Sequence, residues 1–243
     1  MDEFFVGYLP QVPPGIARRV RRIVVLLILA VVAVAVLLAT SQKPFAAATF
    51  AFGQPTTFTG VVSSSPEPTL WTDKPYLLVA PGKHGAHELV APHEGKAVTI
   101  TGALIQRGDE AMIEIASIAP AALPAHLPPP RGKGEEVTLV GEIVDGKCFL
   151  GVMRPGEGKA HHDCAVRCIS GGTPPLLALY DGRTAVLAGR GGRSLHREIL
   201  DVVAEPVEVT GTLSARGEQL ILETERGEIR RVSRQPQAGH RDP

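Results

Sequence analysis

The sequence predicts a mainly β chain: one N-terminal transmembrane helix, then two small β-barrels, the second carrying a helical Cys/His insertion. Three observations carry this. Ile23 to Ala39 is an unbroken apolar run, IVVLLILAVVAVAVLLA. One hairpin pattern occurs twice, with Gly102 and Gly211, Leu104 and Leu213, and Gly108 and Gly217 matching at a constant offset of 109. All three cysteines, Cys148, Cys164 and Cys168, fall in one glycine-punctuated stretch.

Composition excludes several classes. The 243 residues carry 25 Lys+Arg against 25 Asp+Glu, so the chain lacks the basic excess expected of a nucleic-acid partner. Twenty-six glycines and 21 prolines are too many for a long-helix bundle and too aperiodic for collagen. Aromatics at 5% argue against a surface that stacks bases or sugars.

The apolar run comes first. Its 17 residues span roughly 26 Å as a helix, near the lower limit for a hydrocarbon core. It is apolar all round, which a half-exposed soluble helix is not. Residues 23–40 are therefore read as a bilayer-spanning anchor. Arg18, Arg19, Arg21 and Arg22 precede it and only Lys43 closely follows, so the N-terminal segment 1–22 is expected in the cytoplasm and the remainder outside the inner membrane. A cleaved signal peptide is the competing reading, with Ala46-Ala47-Ala48 as the small residues at the cleavage site. Signal peptides have apolar regions of about 7–15 residues, which favours the uncleaved anchor.

After a stem at 41–56, strands are expected at Thr57–Val62, Tyr76–Val79 and Val98–Gln106, with a turn at Arg107-Gly108-Asp109 and a return through Met112 to Ile115. The alternation of β-branched and polar residues is the reason. Helix is sparse in this half, with a weak stretch near Ala86–Val90. Domain one spans 57–118. Residues 119–135 form a linker whose Pro128-Pro129-Pro130 is stiff and extended.

The pattern then recurs over 136–229. Val137–Ile143 echoes the first strand, and Val207–Ser214 with Leu220–Leu222 echoes the hairpin. A short helix is expected at Ser194–Val203. Strands, a short helix and a closing hairpin, twice over, resemble tandem OB-like barrels. That architecture dictates no ligand. His84, His87 and His93 in the first half read as solvated loop residues, which makes that barrel a spacer or interaction module. The tail from Arg230 is polar and expected to fray.

The segment 148–175 is where chemistry concentrates. Ala160–Ile169 suits about two and a half helical turns, opened by Gly158 and closed by Gly171, Gly172 and Pro174. At roughly 100° per residue, His161, Cys164 and Cys168 share one stripe about 60° wide, and His162 and Asp163 point elsewhere. Cys148, at the end of the preceding strand, is placed to approach that stripe. Three readings stay open. One is a disulfide of Cys148 with Cys164 or Cys168 and a spare thiol. Another is a Cys3His site for copper or zinc. The third is a redox-active thiol site. An odd cysteine count and the adjacent His161 and His162 exceed what a staple requires.

Other motifs are missing: no C-x-x-C-H, Walker A, G-x-S-x-G or H-E-x-x-H occurs. Gly189 to Ser194 (GRGGRS) is glycine-rich and basic, and reads as a turn rather than an anion cradle. Ser170 beside His161 and Asp163 does not make a triad by spacing.

A strand cysteine followed by H-x-x-C-A-x-x-x-C, Gly-Gly and Pro resembles a group of uncharacterised bacterial exported proteins, in which a similar Cys/His stretch interrupts an OB-like barrel. The resemblance covers roughly Val137 to Leu179. It implies Cys148, His161, Cys164 and Cys168 as the site and implies no particular reaction. The leading expectation is a non-enzymatic accessory or binding subunit of an envelope metal or redox system, anchored in the lipid bilayer and partnered by an envelope redox or metal-handling protein. The alternatives are a thiol-disulfide enzyme, with Cys164 or Cys168 as nucleophile and His161 lowering its pKa, and a structural module stapled by Cys148.

Overall fold

A computed structural model describes residues 12–42, 47–121 and 127–232. The expected tail lies outside these beyond Val232, as do part of the stem and residues 122–126 of the linker.

Residues before Ala46 form a unit of their own. It holds one helix, α1 (Pro14–Ser41), which begins ahead of the apolar run with proline in its first turn, where the missing N–H costs nothing. An 18-residue window reaches a mean hydropathy of 3.3 and none of it is buried against protein. By length and composition the helix can cross a membrane. At its end Thr40 Oγ1 donates to Val36 O (2.9 Å) and Ser41 Oγ to Leu38 O (3.1 Å), so these hydroxyls are satisfied within the helix.

The second unit is mainly β. Its first half contains β1 (Ala48–Phe50), β2 (Thr56–Ser63), β3 (Thr69–Trp71), β4 (Pro75–Val79), the short helix α2 (His87–Val90), β5 (Ala97–Arg107) and β6 (Glu110–Pro120). Antiparallel pairing runs β5–β2–β3–β4, β6 joins β4 in parallel, and β5 pairs with β6 to close a five-stranded barrel. The second half repeats this with β7 (Glu135–Asp145), α3 (His162–Ser170), β8 (Pro175–Leu179), β9 (Thr184–Gly189), β10 (Pro206–Arg216) and β11 (Gln219–Thr224). Here too the third and fifth barrel strands are parallel, and β10 closes on both β7 and β11. This is the OB-like topology expected. β1 adds to β5, and β12 (Ile229–Arg231) adds to β10.

Of the offset-109 glycines, Gly102 and Gly211 have a steric cause, while Gly108 and Gly217 take positive φ in the hairpin turns. A Cβ on Gly102 would stand 2.4 Å from Glu114 O, and one on Gly211 2.3 Å from Glu223 O. At the same point of each barrel, two strands coil too close for a side chain.

β1 and the segment Ser194–Val203 differ from expectation, and the glycine-rich segment matches it. β1 lies within the stretch expected as a stem. Ser194–Val203 forms turns and a 3-10 turn at Leu200–Val202 instead of a helix; Leu195, Ile199, Val202 and Val203 still bury into the second core, so their packing overrides helical spacing. The glycine-rich segment is a tight turn, and Arg193 is paired with both Glu198 and Glu225, leaving its charge occupied.

Each barrel has its own core. The first centres on Val62, Leu70, Leu78, Ile100 and Ile113. The second includes Ile143, Leu177, Leu187 and Leu222, with Ala165 and Ile169 of α3. A third cluster joins Leu77, Ile105 and Met112 of the first barrel to Val144, Leu150, Leu176 and Ile221 of the second. Burying this seam is the hydrophobic reason the two barrels behave as one unit.

Candidate metal centre at the barrel seam

The site is built where β7 ends. Asp145 Oδ1 accepts the backbone N–H of Cys148 at 2.8 Å, a short polar side chain holding a turn as it would an N-cap. That turn aims Cys148 away from the strand. After the loop, a 3-10 turn at Lys159–His161 leads into α3. Ala165 and Ile169 anchor one face of α3 in the core. The neighbouring face presents Cys164 and Cys168. Gly171 closes the helix, its N–H reaching Arg167 O and Cys168 O.

The three thiols converge. Their sulfurs all lie within 4.8 Å of one another, and Cys148 Sγ is 4.0 Å from Cys164 Sγ. Two thiolates on one tetrahedral zinc stand about 3.8 Å apart, given Zn–S near 2.3 Å. Cys148 and Cys168 are buried and Cys164 is partly exposed.

His161 enters differently from the expected shared stripe. It sits in the 3-10 turn before α3, buried, with Nε2 2.8 Å from Asp145 Oδ2. With Asp145 and Cys148 it forms a second group within 4.8 Å, and Cys148 is common to both groups. His162 points outward to Asp163 (2.9 Å), as its angle on the helix required.

Two residues at the candidate site were not foreseen. Asp145 carried a local signal, an Asp three residues ahead of a cysteine in a strand-ending turn. Lys83 carried none, because it comes from the first barrel. Its Nζ is 2.8 Å from Cys164 Sγ and 3.7 Å from Cys168 Sγ. The loop bearing it is held by buried Lys147, which donates to Ala80 O (3.0 Å) and Gly82 O (2.6 Å) and pairs with Glu114.

The electrostatics are unequal across the thiols. Cys168 is pulled down to about 7, chiefly by the hydrogen bond from the Cys148 thiol, with Lys83 and Cys164 assisting against burial. Cys148 is pushed up by giving that hydrogen bond and by burial. Lys83 is raised, first by its contact with Cys164. Soft thiolate donors suit a soft or borderline ion.

The expected loop histidines divide. His87 Nε2 lies 3.7 Å from Oε2 of buried Glu67, and His196 Nε2 of the second barrel lies 3.0 Å from Oε1 of the same carboxylate. His84 and His93 stand apart from the thiol cluster, with His84 lining a surface cleft beside Gly171 and Gly172.

No family model, curated protein or solved structure matches this chain.

Proposed function

We propose that this chain is a membrane-anchored periplasmic binding protein of an envelope metal or redox system, holding one copper or zinc ion at Cys148, Cys164 and Cys168, with His161 as the fourth ligand. The observation that carries the reading is the convergence of three sulfurs within 4.8 Å at the seam. His161 fits the role because Asp145 engages its Nε2. A metal-bound imidazole characteristically gives its other ring nitrogen to a carboxylate, which fixes the tautomer. Here that leaves Nδ1 for the ion. Lys83 offsets the negative charge of the thiolate set. The bound ion supplies Lewis acidity, or electron transfer if it is copper. The arginines before α1 favour a cytoplasmic N-terminus and exported barrels.

The test uses the full chain in detergent. Metal is measured per chain, and thiols are counted under denaturation after chelation. The reading expects one ion and three thiols. One disulfide, one thiol and no metal would overturn it.

A second reading is thiol-disulfide exchange with Cys164 or Cys168 as nucleophile. It is favoured by the 4.0 Å approach of Cys148 to Cys164 and by the low value at Cys168. Turnover in a disulfide-reduction assay, lost in Cys164→Ser, selects it over the first.

A further inference from the structure

We propose that Lys83 and Cys164 are the two ends of an oxidative N–O–S cross-link that joins the barrels and withdraws one sulfur from the cluster. The cross-link itself needs only these two side chains. Its role as a regulator of metal binding rests on the reading above.

The distance is the first argument. Lys83 Nζ to Cys164 Sγ is 2.8 Å. An ordinary N–H···O bond already averages about 2.9–3.0 Å, and sulfur is the larger acceptor. One oxygen bonded to both atoms spans this gap, with no need for the chain to move.

Pre-organisation is the second. The loop at 80–85 meets the end of α3 backbone to backbone. Gly85 N–H donates to Gly171 O at 2.9 Å. A Cβ on Gly171 would stand 2.0 Å from Lys83 O, and one on Gly85 2.0 Å from Gly172 O. Only glycine permits this approach. Lys147 fixes the other end of the loop through Ala80 O and Gly82 O. Both partners of the cross-link are thus anchored on the same seam, 81 residues apart in sequence.

Access is the third. Lys83 is exposed and Cys164 partly so, whereas Cys148 and Cys168 are buried. A thiol must be reached to be oxidised, and exposure singles out Cys164. An oxidant therefore meets Cys164 first, with Lys83 nearer to it than the Cys148 sulfur at 4.0 Å.

The chemistry balances with a peroxide as oxidant. One hydrogen peroxide converts the Cys164 thiol to a sulfenic acid and leaves as water. A second accepts the sulfenic hydrogen and one amine hydrogen as the N–O bond forms, leaving as two waters. Overall, one amine, one thiol and two peroxides give one N–O–S bridge and three waters. Sulfur and nitrogen each lose two electrons, and the two peroxides gain four. The bridged chain has two thiols left for a metal.

The experiment treats the metal-free full chain in detergent with hydrogen peroxide, then reads intact mass and a non-reducing peptide map. The expected product gains one oxygen and loses two hydrogens, and links the peptides of Lys83 and Cys164. It forms in wild type and in Cys148→Ser, and not in Lys83→Met. A Cys148–Cys164 disulfide, or sulfinic Cys164 with Lys83 unlinked, would overturn the cross-link. Untreated Lys83→Met is assayed for metal in parallel. If it still binds one ion, a failed cross-link leaves the metal reading intact. A cross-link in a chain that never binds metal retains the modification and removes only its regulatory role.

Discussion

Asp145 and His161 face each other at 2.8 Å, both buried, while the other oxygen of the same carboxylate holds the Cys148 backbone. One side chain thereby orients two of the candidate ligands. Asp145→Asn keeps an oxygen for the Cys148 N–H and removes the charge that positions the imidazole. Loss of such a partner lowers metal affinity by about 10–100-fold. Competition against a chromophoric chelator should show that drop, with the denatured thiol count unchanged. Unaltered affinity would remove His161 from the ligand set.

Gly171 has ordinary backbone angles for a helix end, so its requirement is steric. Gly171→Ala forces its Cβ against the Lys83 carbonyl and should cost roughly 1–3 kcal/mol, as overpacking does. Gly227, where a Cβ would meet nothing within 4 Å, is the control and should stay within about 0.5 kcal/mol on alanine substitution. Thermal or denaturant melts of the two variants make the comparison.

Glu110 tests the pH dependence of the seam. Burial raises its pKa above the ordinary carboxylate value, with Asp109 and Glu218 adding to the rise and the hydrogen bond from Thr184 opposing it. A carboxyl whose folded pKa is raised favours folding while protonated. That contribution is full below the unfolded value of about 4.3 and is lost as pH rises through the folded value. Glu110→Gln keeps an acceptor for Thr184 and cannot ionise. It should be more stable than wild type at pH 7, with the difference vanishing below about pH 4. A variant less stable than wild type at pH 7 would show that the charge is favourable.

The anchor has its own test. If α1 spans the bilayer, the chain stays with membranes through an alkaline wash. With the arginine-rich end inside, protease added to spheroplasts removes the barrels. Release by the wash, or full protection of the barrels, contradicts the assignment.

Much of the fold was legible because its signals are local. The apolar run, the period-two strands and the repeated glycines each follow from neighbours in sequence. β3 was not legible, because three residues are too few to show a period. β9 (TAVLAG) is buried throughout, so it lacks the polar alternation that marks a half-exposed strand. The expected helix at Ser194–Val203 failed because its apolar residues fill the barrel core without needing helical spacing. Of the candidate site, the three cysteines were legible from their clustering, whereas the helical angle that put His161 on their stripe did not hold, because His161 lies in the 3-10 turn before α3. Asp145 required knowing the turn. Lys83 required knowing which loop of the first barrel docks against α3, and no local pattern carries that.

The central claim is that three sulfurs and one imidazole hold a single ion at the seam. X-ray absorption at the metal edge of the zinc- or copper-loaded chain tests it directly. The account predicts a shell of three sulfur scatterers, at about 2.3 Å for zinc, with one nitrogen, and a sulfur count that falls by one in Cys164→Ser. A shell of nitrogen and oxygen alone, or a sulfur count indifferent to that substitution, would contradict it.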